Sequence, residues 1–457
     1  MNVQFKRIIL LVAAAGCCAL LRSSYRQDAA LLFFGGLCAL VLLAHVARRV
    51  EPRLGQTQFA GLPKRLAVVC LLLPITDFCY GMYLSTREGR QDEVRPVFSY
   101  RDAQGDQRAF ALWWRTYVAE WNRSKRAVQR DTPGLPVPYE FIPGTTAKFF
   151  DGTVSINSHG FADKEFPAAK GERYRIVVMG SSHTEGPVLR PGDDPWPLIL
   201  EGRIGERSAS QRPIEVINAG ASAYDMEDNL YRLQTRVLPL EPDMIVTYFG
   251  YNGFKDYAEA FDIALVPPDE KPRPSLLLSK IEYNFRDWWH QARSRRRGPL
   301  DLASIRPRLL ECEHTRHYRR YIELTREHRV RLVICNFNMA VADDSPDEVI
   351  QFYEMGFPNV RMCIDANRIN SAVVLAVADG HQHVTTADVQ ADLNGRHEGN
   401  YVDLVHMTYR GKSILAENVL RTIAPLVERD LERSLDQAEP ILPVSAELPV
   451  LESNTLR

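Results

Sequence analysis

From residue 174 onward, short apolar runs alternate with helical patterns, and few folds accommodate that alternation. Strand-length apolar runs occupy 174–179, 214–218, 244–249, 331–337 and 383–387. Helical periodicity fills 195–205, 226–237, 309–328 and 364–378, and 408–435 closes the series with Thr408 placed as its N-cap. Continuous apolar strands need cover on both faces, and parallel strands need helical crossovers to connect them. The pattern therefore predicts an α/β domain of three layers, α/β/α, around one parallel sheet. Ligands of such sheets sit outside the carboxyl ends of the strands. The residues just after each apolar run are thus where chemistry is expected.

The first 85 residues are different in kind. Residues 29–47 form a run of nineteen with no formal charge apart from His45, and 66–84 form another nineteen, interrupted only by Pro74 and Asp77. About 20 apolar residues cross the hydrocarbon core as a helix, so both read as membrane spans. Residues 8–21 are apolar but only fourteen long, behind Lys6 and Arg7. They suit a short first span or the apolar region of an export signal, and a full-length span so close behind favours the span. Residues 1–85 then form an anchor of about three transmembrane helices. Lys and Arg gather before the first span (Lys6, Arg7) and between the second and third (Arg48, Arg49, Arg53, Lys64, Arg65), modestly outnumbering Arg22 and Arg26 in the other connection and Arg87, Arg90 and Arg95 after the third span. That bias puts the former segments inside, and everything after Leu84 outside the membrane. An integral membrane protein with an extracytoplasmic domain is expected, periplasmic if the source is bacterial.

Composition narrows the partners. Lys plus Arg number 56 against 57 Asp plus Glu, for a formal net charge of -1, which argues against a dedicated nucleic-acid binder. Beyond the apolar spans only Cys312, Cys335 and Cys363 remain, an odd set without CxxC spacing. The pairs His314/His317 and His381/His383 lack a third ligand of matching placement, so no metal is implied. Residues 86–150 read as an irregular connector containing one amphipathic helix over 111–121, with Trp114, Val118 and Trp121 on one face. That face either packs on the main domain or rests on the membrane surface, where tryptophan is favoured. The main domain runs over 151–436 and is interrupted at 266–300, where PPDEKPRP, Trp288-Trp289 and SRRRGP read as an insertion. Residues 437–457 are proline-rich and aperiodic, as expected of a disordered tail.

Four short blocks follow the apolar runs. The first run ends in Gly180-Ser181-Ser182, within RIVVMGSSHTEG, and the second in Asn218-Ala219-Gly220. The third ends in Gly250-Tyr251-Asn252, and Asp403-Leu404-Val405-His406 stands just before the last helix. Singly, each is ordinary turn chemistry. Together and in this order they resemble the SGNH (GDSL-like) hydrolase superfamily, whose blocks are a GDS-type serine, a glycine, a G-x-N-D asparagine and a D-x-x-H. The resemblance covers about 154–428, and INSHGF (156–161) is similar to the lead-in of membrane-tethered and secreted members.

The resemblance implies a flavodoxin-like sheet and a serine esterase. Ser182 would be the nucleophile, at a helix start whose dipole favours negative charge. His406 would be the base and Asp403 its orienting carboxylate. The oxyanion hole would combine the backbone N–H groups of Ser182 and Gly220 with the Asn252 side-chain amide, glycine at 220 letting a tetrahedral centre approach closely. No cofactor is implied. Ser181 and Gly253 stand where the family has aspartates, neither of them a triad member. His183, next to Ser182, points away from it on a turn and is expected to line the pocket or pack. An outward-facing tethered domain meets cell-envelope material, so O-acetylated glycans or lipid esters are the expected substrates. Two other readings stay open: an O-acyltransferase of extracellular polysaccharide or peptidoglycan, fed by a membrane-embedded acyl-donor partner, and a catalytically silent binding protein of the same fold.

Overall fold

The computed structural model describes residues 107–436, apart from 187–191, 208–211, 264–299, 355–356 and 358. The expected spans, nearly all of the insertion and the tail therefore lie outside the described residues. Among the described residues no helix is long and apolar enough to cross a membrane.

Five strands form one sheet: β5 (Tyr174–Gly180), β6 (Ile214–Asn218), β7 (Met244–Tyr248), β8 (Arg331–Cys335) and β9 (Val384–Ala387). Their order is β6-β5-β7-β8-β9 and every pair is parallel. This is the doubly wound 2-1-3-4-5 order, in which the chain reverses direction across the sheet after its first two strands. All seven residues of β5 and all five of β7 are buried, as cover on both faces requires. Helices α3 (Trp196–Arg207) and α10 (Tyr409–Asp436) pack together on one side. On the other lie α4 (Met226–Arg232), α5 (Phe254–Ala260), α7 (Glu313–Glu327) and α9 (Val360–Ala378). Asp225 caps α4 with a full capping box to Asp228.

The connector is more ordered than its sequence suggests. Helix α1 (Gln107–Val128) leads into two antiparallel hairpins, β1 (Gln129–Asp131) with β2 (Tyr139–Phe141), and β3 (Thr146–Phe149) with β4 (Gly152–Ser155). The inner face of α1 also differs from expectation. Tyr117, Ser124, Lys125 and Val128 are the buried positions, whereas Val118 and Trp121 are only partly covered. The Trp114 side chain lies outside the described residues. A further helix, α8 (Asp347–Glu354), stands where no strong periodicity marked one. Cys312, Cys335 and Cys363 are all buried free thiols.

Candidate active site

The turn that carries the candidate nucleophile is built by crowding. Strand β5 ends at Gly180, and a Cβ there would lie 2.1 Å from Thr184 Oγ1 and 2.8 Å from the Tyr248 carbonyl oxygen. The chain then forms one helical turn, α2 (Ser182–Glu185), which stops at Gly186 with φ 75°. That left-handed geometry favours glycine, and Gly186 N–H donates back to the Ser182 carbonyl at 2.9 Å. The helix start at Ser182 is thus four residues long, so few peptide dipoles add up there, and the macrodipole expected from the sequence is correspondingly small.

A second loop supplies the partners. Asp403 is fully buried, and its Oδ1 accepts from the backbone N–H groups of Val405 (2.8 Å) and His406 (2.7 Å). The other oxygen, Oδ2, lies 2.7 Å from His406 Nδ1. A carboxylate only accepts, so Nδ1 carries the hydrogen and Nε2 is left as an acceptor. That Nε2 sits 2.8 Å from Ser182 Oγ, 224 positions away in the sequence. The structure therefore brings Ser182, His406 and Asp403 into one hydrogen-bonded chain at the carboxyl edge of the sheet. The Tyr401–Met407 bridge and the Val402 N–H bond to the His406 carbonyl hold this loop closed on itself.

The expected oxyanion donors are placed less simply. Asn252 Nδ2 donates to the Tyr224 carbonyl at 2.9 Å, leaving its second hydrogen for a ligand. Gly220 N–H already donates to Asn218 Oδ1 at 3.0 Å, so this donor is engaged. The need for glycine at 220 also has another cause. A Cβ there would lie 2.2 Å from Glu185 N and 2.7 Å from the Thr184 carbonyl carbon. Its bareness lets the loop after β6 pack against the backbone of α2, which is how the two blocks meet. Replacing Asn252 by alanine is expected to lower kcat about 10²–10³-fold, the scale for one oxyanion donor, in an aryl-ester assay. A change below about threefold would remove Asn252 from that role.

Gly253 and Ser181, the two departures from the resemblance, each have a defined setting in the structure. Where Gly253 stands, a Cβ would come within 2.2 Å of the His314 ring, which is buried and occupies the space. Ser181 Oγ pairs with His183 Nδ1 at 2.9 Å. His183 itself stacks on His406, with ring centroids 5.0 Å apart and planes 20° apart, and it makes no hydrogen bond to Ser182. Burial, with the charge on His406 second, pushes the His183 pKa well below its ordinary value and keeps it neutral. Among the described residues no group of three or more His, Cys, Asp or Glu is placed to hold a metal ion.

Sequence reasoning missed the residues that brace this turn. Lys125 of α1 forms a buried ion pair with Glu185 of α2, and Glu185 Oε2 also accepts from Ser222 N–H (2.8 Å) and Ser222 Oγ–H (2.6 Å). Tyr117 and Trp121, also on α1, each place a ring centroid 6.1 Å from that of His406. The helix read as a packing or membrane element thus forms a wall beside the candidate base. A lone basic residue 60 positions before its partner leaves no signal in sequence.

The strand order and register define a three-layer α/β/α fold around one doubly wound parallel sheet. No protein-family model matches the sequence, and no curated protein matches it significantly. Among solved structures the chain is similar to the acetyl xylan esterase AlAXEase, at 14% identity and TM-score 0.33 over 55% of this chain and 99% of that one. It is also similar to a lipase/acylhydrolase from Enterococcus faecalis, at 16% identity and TM-score 0.31 over 55% and 96%. A variant acetyl xylan esterase from Geobacillus stearothermophilus aligns at 16% identity and TM-score 0.33 over 56% and 95%. The fold rests on strand order and register.

Proposed function

We propose that this protein is a membrane-anchored serine esterase that removes acyl groups, O-acetyl above all, from cell-envelope glycans or lipids. The observation that carries the reading is the Ser182–His406–Asp403 chain, with contacts of 2.8 and 2.7 Å. Ser182 Oγ attacks the ester carbonyl while His406 Nε2 takes its proton. Asp403 holds the Nδ1–H tautomer and stabilises the imidazolium. Charge on the tetrahedral oxygen is met by the Asn252 amide and the Ser182 backbone N–H. Collapse expels the alcohol, to which His406 returns the proton, and water activated by His406 then releases the acid from Ser182. The fixed tautomer and the aromatic wall beside His406 both suit this role. The substrate class follows from the expected topology, in which residues after Leu84 face outward.

A fluorophosphonate probe tests the chemistry on the full-length chain. Covalent labelling is expected on Ser182 and absent in Ser182→Ala. A chain that takes no label, with no turnover of aryl acetate, would leave only a silent binding protein. Acetyl groups delivered to a glycan hydroxyl in preference to water would instead make it an O-acyltransferase. The anchor has its own measurement: an alkaline phosphatase fused after Leu84 is expected to be active, as export requires, and activity of a cytoplasmic reporter at that junction would reverse the topology.

A further inference from the structure

Beside the hairpin β1/β2, a cavity of about 110 Å³ is lined by Arg130, Glu140, Phe141, Tyr224, Arg232 and Arg236, among others. At its back Arg232 is only 5% exposed. Its Nε and Nη2 are buried without a hydrogen-bond partner, and among the described residues no carboxylate forms an ion pair with it. Aromatic faces surround the guanidinium instead, with Phe161 at 4.9 Å, Phe141 at 5.5 Å and Tyr224 at 5.9 Å from their centroids. Those faces attract a cation but accept no hydrogen bond in the guanidinium plane. At the rim, Glu140 is shared by Arg236 at 2.7 Å and Arg130 at 3.8 Å, so the nearby carboxylate is taken by two other arginines.

We propose that this cavity is an oxyanion-binding site, taking a carboxylate, phosphate or sulfate group on the buried fork of Arg232. A planar guanidinium with two open donors matches such a group in two-pronged fashion. A cation buried without a counter-charge is the costliest arrangement a protein interior offers, and an anion relieves it. Burial lowers the Arg232 pKa from its ordinary value, consistent with a missing acid partner. The site is separate from the candidate triad and does not depend on the esterase reading. It does share Tyr224, whose ring faces Arg232 and whose carbonyl holds Asn252, so an occupied cavity stiffens the segment that orients that amide.

The test titrates the full-length chain with inorganic phosphate, sulfate and glucuronate, against sodium chloride at equal ionic strength, following heat of binding and thermal midpoint. Saturable binding of at least one anion is expected, with a midpoint that climbs with its concentration. Preference for glucuronate would assign the site to a sugar carboxylate, and preference for phosphate or sulfate to those groups. Arg232→Met is expected to abolish binding. Glu140→Gln removes the competing carboxylate and is expected to tighten binding about tenfold. If Arg232→Met does not fold, Glu140→Gln decides. No binding above the chloride control, or binding that neither substitution changes, would overturn the site and leave a water-filled cavity.

Discussion

Ser182→Ala and His406→Ala are each expected to reduce ester hydrolysis by on the order of 10⁴ to 10⁶, with the double variant little worse than either alone. The reason is mutual dependence. Ser182 Oγ and His406 Nε2 are 2.8 Å apart, so without the imidazole the hydroxyl has no acceptor for its proton, and without the hydroxyl the imidazole has no nucleophile to activate. Asp403→Asn is expected to be severe but milder. The amide can no longer enforce the Nδ1–H tautomer through Oδ2, while its carbonyl oxygen can still accept the two backbone N–H groups that Oδ1 now takes. Ser181→Ala serves as the comparison, because its hydroxyl faces His183 rather than His406. Rates should be measured on a short-chain aryl ester together with the unfolding midpoint of each variant. A dead Ser181→Ala beside a near-normal Ser182→Ala would mean the nucleophile is the other serine, and strictly additive losses in the double variant would dissolve the triad.

Lys125→Met is expected to destabilise the fold by about 3–5 kcal/mol, the usual consequence of leaving one member of a buried ion pair without its partner. Glu185 has a side chain only 3% exposed, and the two donors of Ser222 are its remaining partners. Its carboxylate would then be buried without a counter-ion. A drop in thermal midpoint on the order of 10 °C is expected near neutrality. Adding Glu185→Gln should recover most of it, since an amide keeps an acceptor for Ser222 without the charge. A loss under about 1 kcal/mol, or no rescue by the second substitution, would show that the pair does not brace the nucleophile turn.

Much of this architecture was legible before any coordinates. The five apolar runs appear as the five strands within one or two residues, because a strand buried on both faces cannot hide its composition. The hairpins of 129–155 were not legible. Strands of three or four residues, one of them the fully polar Gln129–Asp131, are too short to show alternation. The D-x-x-H spacing fixed Asp403 and His406 as neighbours, since three residues is a contact within one loop.

Local order in the chain thus determined the strands and the main helices, because each is written in a short period, while the candidate nucleophile and base came from the resemblance that the four blocks carry together. Tertiary structure alone decided what those residues meet. Only the folded chain turns His406 Nε2 toward a hydroxyl 224 residues away, and only it puts Lys125 behind Glu185 and an aromatic wall beside His406. It also replaced the reason given by sequence for Gly220 and supplied one for Gly253. Gly220 is bare to admit the backbone of α2, and Gly253 is bare to admit the His314 ring. Such requirements depend on which distant atoms fill a given volume. No periodicity encodes them, because the atoms become neighbours only once the sheet has assembled.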